Sequence, residues 1–430
     1  MTATAATDTL AVDFGTSNSA AAVLQDGRVR RLAIEPGAET LPTAVFFPAT
    51  GGAMRIGSAA AEALVAGQEG RYMRALKSVL GTTLLHESRL IGGRRRTLAD
   101  IVAAFLAELR LRAEAAAGRP FRRALSGRPV HFHSNDAARD AQAEADLRAC
   151  YLAAGFEAVD FLPEPEAAAR AAPGAGLGLI VDIGGGTSDF SLFETGAKGG
   201  VRIVASHGIR LGGTDFDHAL SMAHAMPALG HGGQLRREMG TGLLPVPNAV
   251  FVDLATWAKI PFLYTPDTRR MVAGMVRLAA PGTRLDRLAT VLDEELGHDL
   301  AFAVERGKIA ANAGAAGAAV DMAMVEPGLS VPVTAASLDA ALWAYRGDLA
   351  AAAAETLRLG GIAPGAVDRV ILVGGSSLMG LVADEAARLC PAATVERSEA
   401  FTAVVDGLAL AAGEAVGAAG GVQRPSQNMA

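Results

Sequence analysis

An α/β fold with two related lobes facing a common cleft is predicted by three observations: a strand-turn-strand unit near the start, its recurrence far downstream, and strands alternating with amphipathic helices elsewhere. The first unit is an apolar run at 10–12 that stops at Asp13-Phe14-Gly15-Thr16 and resumes at 20–24 before Gln25-Asp26-Gly27. Two short strands joined by a tight polar turn give that pattern. The second is an apolar run at 177–181, the turn Asp182-Ile183-Gly184-Gly185-Gly186-Thr187, and a return strand at 189–193. Asp13 and Asp182 each end a strand, and their spacing of 169 residues exceeds any solenoid period, so it reads as a duplicated domain.

The remaining elements follow in order. Thr97 and Asp100 form a helix-start signature, and Leu98, Ile101, Val102, Phe105, Leu106 and Leu109 keep helical spacing behind it, which predicts an amphipathic helix over a sheet. A second helix is predicted over 137–154 with Gly155 as its stop, then a strand at 158–162. Pro163-Glu164-Pro165-Glu166 opens a third helix, since proline is tolerated in a first turn. Residues 230–281 break the alternation with prolines, glycines and an aromatic patch at 257–264, and read as an inserted, partly irregular segment. Residues 370–373 are a buried strand ending in Gly374-Gly375-Ser376-Ser377, with a helix over 378–389. The predicted division is lobe I at 1–172, lobe II at 173–396 including the insert, a helix at 397–416 that completes lobe I, and a disordered Gly-rich tail at 417–430.

Composition narrows the function classes. The 430 residues are 50% hydrophobic, enough to bury a large core, and about one in five is alanine. A net charge of −6 argues against nucleic acid as the main partner, because neutralising phosphates along a strand needs a clustered basic surface. Cys150 and Cys390 are far apart and form no metal pair or disulfide framework, which fits a reducing compartment. No cationic leader precedes an apolar core at the start, and the most apolar stretch, 407–422, is interrupted by Glu414, so no membrane partner is expected and a cytoplasmic location is. Lys and Arg total 39, of which only Lys77, Lys198, Lys259 and Lys308 are lysines, leaving 35 arginines.

Glycines in a tight turn let several main-chain N–H groups converge on a phosphate without side chains in the way. Asp13-Phe14-Gly15-Thr16-Ser17-Asn18 and Asp182 to Asp189 both have that character. A carboxylate at each strand end, facing the other across a cleft, can hold a hydrated Mg²⁺, which needs only one or two carboxylates. The plainer reading is two ordinary hairpins whose aspartates cap their turns, and the matched pair argues against it.

These residues resemble the actin-like ATPases, a superfamily of ribonuclease H-like fold with two phosphate hairpins and a third, glycine-rich adenosine turn, which Val370 to Ser377 resembles. Within it the likeness is to the heat shock protein 70 (DnaK-like) family. Leu211-Gly212-Gly213-Thr214-Asp215-Phe216-Asp217 resembles its second-lobe phosphate turn, Glu305-Arg306-Gly307-Lys308-Ile309 its nucleotide-facing helix, and Arg74 to Gly81 its catalytic lysine segment. The order matches throughout. The resemblance implies a slow Mg²⁺-dependent ATPase that binds ATP and ADP and switches by lobe closure, with client proteins or co-chaperones as possible partners.

By the same resemblance, Asp13 and Asp182 hold Mg²⁺ through water, and Thr16, Ser17 and Asn18 surround the β- and γ-phosphates beside Gly15. Gly185, Gly186 and Thr187 close from the other lobe, backed by Gly212 and Gly213. Lys77 and Glu164 orient the attacking water, with Asp182 and Thr187 completing the catalytic set and Asp189 nearby. Glu305, Lys308, Gly374, Gly375 and Ser376 face ribose and adenine. The lysine count adds an argument internal to the chain: a sequence so biased to arginine keeps lysine at 77 and 308, where the family has one, and the planar arginine fork fits poorly beside a γ-phosphate. At Lys308 an alternative is simple pairing with Glu305 one turn away.

Some positions depart from the family. Leu378 and Ile309 stand where basic side chains would flank adenine, Asn312 replaces a hydroxyl, and His131-Phe132-His133 replaces a proline-containing segment, although Arg139 keeps the relay arginine. The family's peptide-binding domain, lid and linker have no counterpart, so a short form with the ATPase domain alone is expected. The alternatives are a nucleotide-sensing adaptor with little turnover, a filament-forming actin-like protein and, more weakly, a small-molecule kinase. There is no P-loop motif, and Gly174 to Gly178 precedes a strand instead of following one, against a dinucleotide site. His131 and His133 read as a hydrogen-bonded pair lacking a third metal ligand, and Arg94-Arg95-Arg96 as a solvated turn.

Overall fold

The computed structural model of the chain describes residues 8–172, 174–196, 200–397 and 402–420. Two sheets of one topology organise it. In the first, Thr9–Phe14 pairs antiparallel with Asn18–Gln25, which pairs antiparallel with Arg28–Arg31; on its other side Thr9–Phe14 runs parallel to Arg123–Arg128 and that strand to Ala158–Pro163. In the second, Gly176–Ile183 pairs antiparallel with Ser188–Thr195 and that with Val201–Ile209, while Arg369–Val373 and Thr394–Arg397 extend it in parallel. Each sheet thus carries its hairpin and its parallel crossovers in the same relative order. The helix expected after Thr97 is Leu98–Ala117, and its capping box is formed: Asp100 N donates to Thr97 Oγ1 and Thr97 N to the Asp100 carboxylate. Its buried face, including Ile101, Phe105 and Leu109, packs into the core of the first sheet.

Between the sheets lie two helices, Glu164–Ala171 and Ala403–Gly420. Their core combines Ala11, Ala20, Ala167 and Ala409 with Ile180, Phe193 and Ile371 of the second sheet. The alanine-rich composition has its clearest use here, because small side chains let two helices and two sheets approach closely. The C-terminal helix continues to Gly420, beyond the expected stop at 416, and the rest of the tail expected at 417–430, residues 421–430, lies outside the described residues.

The stretch 230–281 is more regular than its prolines and glycines imply. It holds a hairpin of Gln234–Arg236 and Leu243–Pro245, then Ala249–Leu254, a 3₁₀ turn Trp257–Phe262 and the helix Pro266–Leu278, whose first position is where proline is tolerated. The aromatic patch is structural. The Arg74 guanidinium lies 4.7 Å from the Trp257 ring centre, Arg89 lies 4.4 Å from that of Phe262, and Tyr72 meets His298 edge-on at 4.9 Å. The Arg74 and Tyr72 contacts join Trp257 and His298 to the strand Gly70–Arg74.

His298 is buried in this contact, and burial, helped by the Arg74 charge, pushes its imidazole down to about 3. It is therefore neutral in the folded chain, whereas the unfolded chain takes up a proton below the ordinary histidine range. That contribution to stability is complete above about pH 6.5 and falls by about 1.4 kcal/mol per unit as pH drops toward the folded value. A His298→Leu variant is expected to lose about 2 kcal/mol less than the parent between pH 7.5 and pH 5, as read from denaturant unfolding curves at the two pH values. Equal losses in parent and variant would contradict this.

Candidate functional site

The two glycine turns share a main-chain hydrogen bond as well as a sequence pattern. Gly15 N donates to Asn18 O at 3.1 Å, and Gly184 N donates to Thr187 O at 3.0 Å, at the same distance along the chain from Asp13 and Asp182 respectively. The turns face each other across an open cleft. One wall is Asp13, Gly15, Thr16, Ser17 and Asn18; the other is Asp182, Gly184, Gly185 and Thr187. Lys77 and Glu164 form its floor, and Gly374, Gly375, Ser376 and Val404 also line it.

The two turns approach closely here. A Cβ on Gly185 would lie 2.6 Å from Ser17 Oγ, and one on Gly186 would lie 3.2 Å from Thr16 Oγ1. Behind the second turn, Gly213 N donates to Gly184 O and Thr214 N to Gly185 O, so the segment beginning at Leu211 props it from outside. A Cβ on Gly212 would come within 2.5 Å of Gly186 N, and one on Gly213 within 2.2 Å of Ser376 Oγ. Gly186, Gly212 and Gly213 therefore shape the cleft without lining it.

Four carboxylates and one lysine determine the electrostatics. Lys77 Nζ donates to Glu164 Oε1 at 2.5 Å, with both side chains buried. Burial works against the Lys77 charge, but Glu164 and Asp13 outweigh it and hold the ammonium above its usual range. Burial, reinforced by Glu164, pushes Asp13 up to about 7. Burial and Glu164 also push Asp189 up to about 8, although Val130 N donates to it at 2.6 Å. Asp182 is raised well above the carboxylate range by burial first and then by Glu164, Asp189 and Asp13. Lys77 alone cannot compensate this many acids in a dry site.

The residues present fit a hydrated divalent cation. Asp182 Oδ2 is buried with no hydrogen-bond partner, and four carboxyl groups face one ammonium, so a cation would favour their charged forms. Among the described residues no three His, Cys, Asp or Glu side chains converge as a direct metal cage, so the donor set suits an ion that keeps most of its water.

Two predicted contacts are engaged elsewhere. Glu305 is held by Arg74 through bonds of 2.9 and 3.3 Å, and Lys308 pairs with Asp217 at 2.7 Å. Neither lines the cleft, and the one-turn Glu305–Lys308 pairing is not made. Ile309 and Leu378 are exposed, and Asn312 ties the helix Gly297–Asn312 to the loop after Ser376, its amide donating to Leu378 O and accepting from Gly380 N. His133 is buried with its ring bonded to Leu80 O, whereas His131 is partly exposed beside Asp140. Arg74 and Asp217 were missed as site neighbours. Both stood in motifs already singled out, Arg74 at the start of the lysine segment and Asp217 at the end of the turn at 211–217.

The comparisons with known proteins bear on this geometry. A model of the Hsp70 protein family matches residues 87–230. The chain is 32% identical over 221 residues to the chaperone protein DnaK of Endomicrobium trichonymphae, and 34% and 33% identical over 216 residues to those of Thermosipho africanus and Thermotoga maritima. Over these residues the chain is similar to the Hsp70 family. The fold is the actin-like ATPase fold, with its doubled sheet and opposed glycine turns. Each match takes in 49% of this chain and 34% of the relative, so the chain spans about a third of the length of the curated Hsp70-family relatives it matches. Among the described residues no helix is long and apolar enough to cross a membrane.

Proposed function

We propose that the chain is a cytoplasmic Mg²⁺-dependent ATPase in which lobe closure around ATP or ADP serves as a chaperone-like switch. The observation that carries this reading is the pair of glycine turns with one main-chain pattern, opposed across a cleft floored by Lys77 and Glu164. The main-chain N–H groups and hydroxyls of Thr16, Ser17, Asn18 and Thr187 would cradle the β- and γ-phosphates. Asp13 and Asp182 would hold a hydrated Mg²⁺, which supplies charge neutralisation to the transferred phosphoryl group. Lys77 and Glu164 orient a water in line with the γ-phosphorus, with Asp189 beside them. Attack forms the bond from water oxygen to phosphorus, breaks the bond to the β-phosphate oxygen, and yields ADP and inorganic phosphate. Rate comes from positioning and electrostatic stabilisation, with no covalent enzyme intermediate.

Calorimetric titration with ATP and ADP, with and without Mg²⁺, tests the binding half of the proposal. Saturable binding that tightens about tenfold or more with Mg²⁺ is expected, because the acid excess repels phosphates in its absence. Binding that ignores Mg²⁺ would contradict it. The engagement of Glu305 and Lys308 in ion pairs favours a second reading, a nucleotide-sensing adaptor, which would show the same binding with no turnover. Client proteins and co-chaperones belong to the proposal by family likeness.

A further inference from the structure

The hairpin of Gln234–Arg236 and Leu243–Pro245 turns apolar side chains outward. Met239 in its loop is 89% exposed, and Leu243 and Leu244 on the return strand are exposed as well. The root of the hairpin is nonetheless fixed: Leu235 is buried, Ala280 N donates to Gln234 O at 2.9 Å, and Arg236 Nη2 donates to Arg277 O at 3.2 Å. It stands as an anchored apolar finger. Arg236 and Arg237 in the hairpin and Arg277 at its root have no ion-pair partner among the described residues, and Glu238 is the hairpin's single acid. Exposed methionine and leucine beside unpaired arginine is a composition that protein interfaces favour.

A complementary surface lies close by in the chain. The helices Pro266–Leu278 and Leu285–Asp293 leave a groove between them, lined by Val272, Ala273, Ala289 and Leu292. Its two arginines are already engaged, Arg269 by Glu295 at 2.9 Å and Asp293 at 3.8 Å, and Arg270 by Asp267. Glu294 follows with no partner among the described residues, so four acids stand against two cations at the groove.

We propose that the finger of one copy of this chain docks in the groove of a second copy. The finger offers apolar side chains and an excess of positive charge, and the groove an apolar lining and an excess of negative charge, so each supplies what the other lacks. Met239 is almost fully exposed, so it does not fill the groove of its own chain. Two-fold symmetry closes the pair with two such contacts, each finger in the other copy's groove. The inference is independent of the ATPase reading, and residues 231–293 lie outside the family-model match.

Sedimentation velocity of the full chain over a range of concentrations, without nucleotide, tests this. Reversible association is expected. Met239→Asp in the finger and Ala273→Arg in the groove should each raise the dissociation constant by at least about tenfold, because each puts a charge of the wrong sign into an apolar contact. Arg237→Glu at the edge of the contact should raise it by roughly fivefold. Met239 and Ala273 are both exposed, so neither change disturbs the core. Mixing the Met239→Asp and Ala273→Arg chains should restore association above that of either alone, since an intact finger then meets an intact groove. Two misfolded chains could not do this. A parent that stays monomeric at every concentration would overturn the proposal. So would association that is indifferent to the finger or the groove substitution, or a mixture no more associated than its components.

Discussion

Lys77→Ala is expected to lower ATP turnover by roughly 10²–10³-fold, the usual loss when one preorganised donor to a transition state is removed, while ADP affinity changes by less than about tenfold. The reason is position. Lys77 sits on the cleft floor 2.5 Å from Glu164, beside the glycine turns that would hold the phosphates. Its loss leaves Glu164 without its ion-pair partner, and breaking a buried pair can cost about 3–5 kcal/mol of stability. Lys77→Arg separates the two effects: it keeps the charge beside Glu164 but puts a planar fork where a compact ammonium stood. It should fold closer to the parent and still turn over slowly. Steady-state phosphate production and ADP titration on both variants check this, and parental turnover in Lys77→Ala would remove Lys77 from the mechanism.

Gly407→Ala is expected to destabilise the chain by roughly 3 kcal/mol or more, a large effect for one methyl group. A Cβ at Gly407 would lie 1.7 Å from Ala167 O and 2.4 Å from Ala167 C. Both atoms are backbone of the helix Glu164–Ala171, so the two central helices would have to separate, carrying Glu164 away from Lys77. Gly413→Ala is the control. Its Cβ would meet only the Leu24 side chain, at 2.0 Å, and that chain can change rotamer, while alanine gains about 1 kcal/mol of helix propensity over glycine. Denaturant unfolding should show a large loss for the first variant and a change within about 1 kcal/mol for the second. Similar behaviour of the two would contradict the packing argument.

The parts of the fold that were legible from sequence are those written in local signals. Both hairpins could be read because an aspartate, a glycine turn and a return strand recur in one order, and that order folds into the same main-chain bond twice. The helix after Thr97 was legible through its capping box. What escaped was long-range. Arg74 and Glu305 are 231 residues apart, so no local spacing joins them, and with Asp217 taking Lys308 the two charges expected at the nucleoside end are engaged elsewhere. The short helices between 249 and 278 were hidden by prolines that sit in first turns or in a 3₁₀ turn, where they are tolerated. The Gly407 crossing was invisible because a small residue gives no hydrophobic periodicity, although its absence of a side chain is what the crossing needs. The lysine scarcity remains the most economical clue, since Lys77 lies on the cleft floor and Lys308 is buried against Asp217.

The most direct test of the central claim is single-turnover cleavage of γ-labelled ATP by the purified chain with Mg²⁺ and with the metal chelated. Labelled phosphate that appears with Mg²⁺ at a rate well above spontaneous hydrolysis, and that vanishes on chelation, is the predicted result. Stoichiometric ATP binding with no labelled phosphate would contradict catalysis by this cleft.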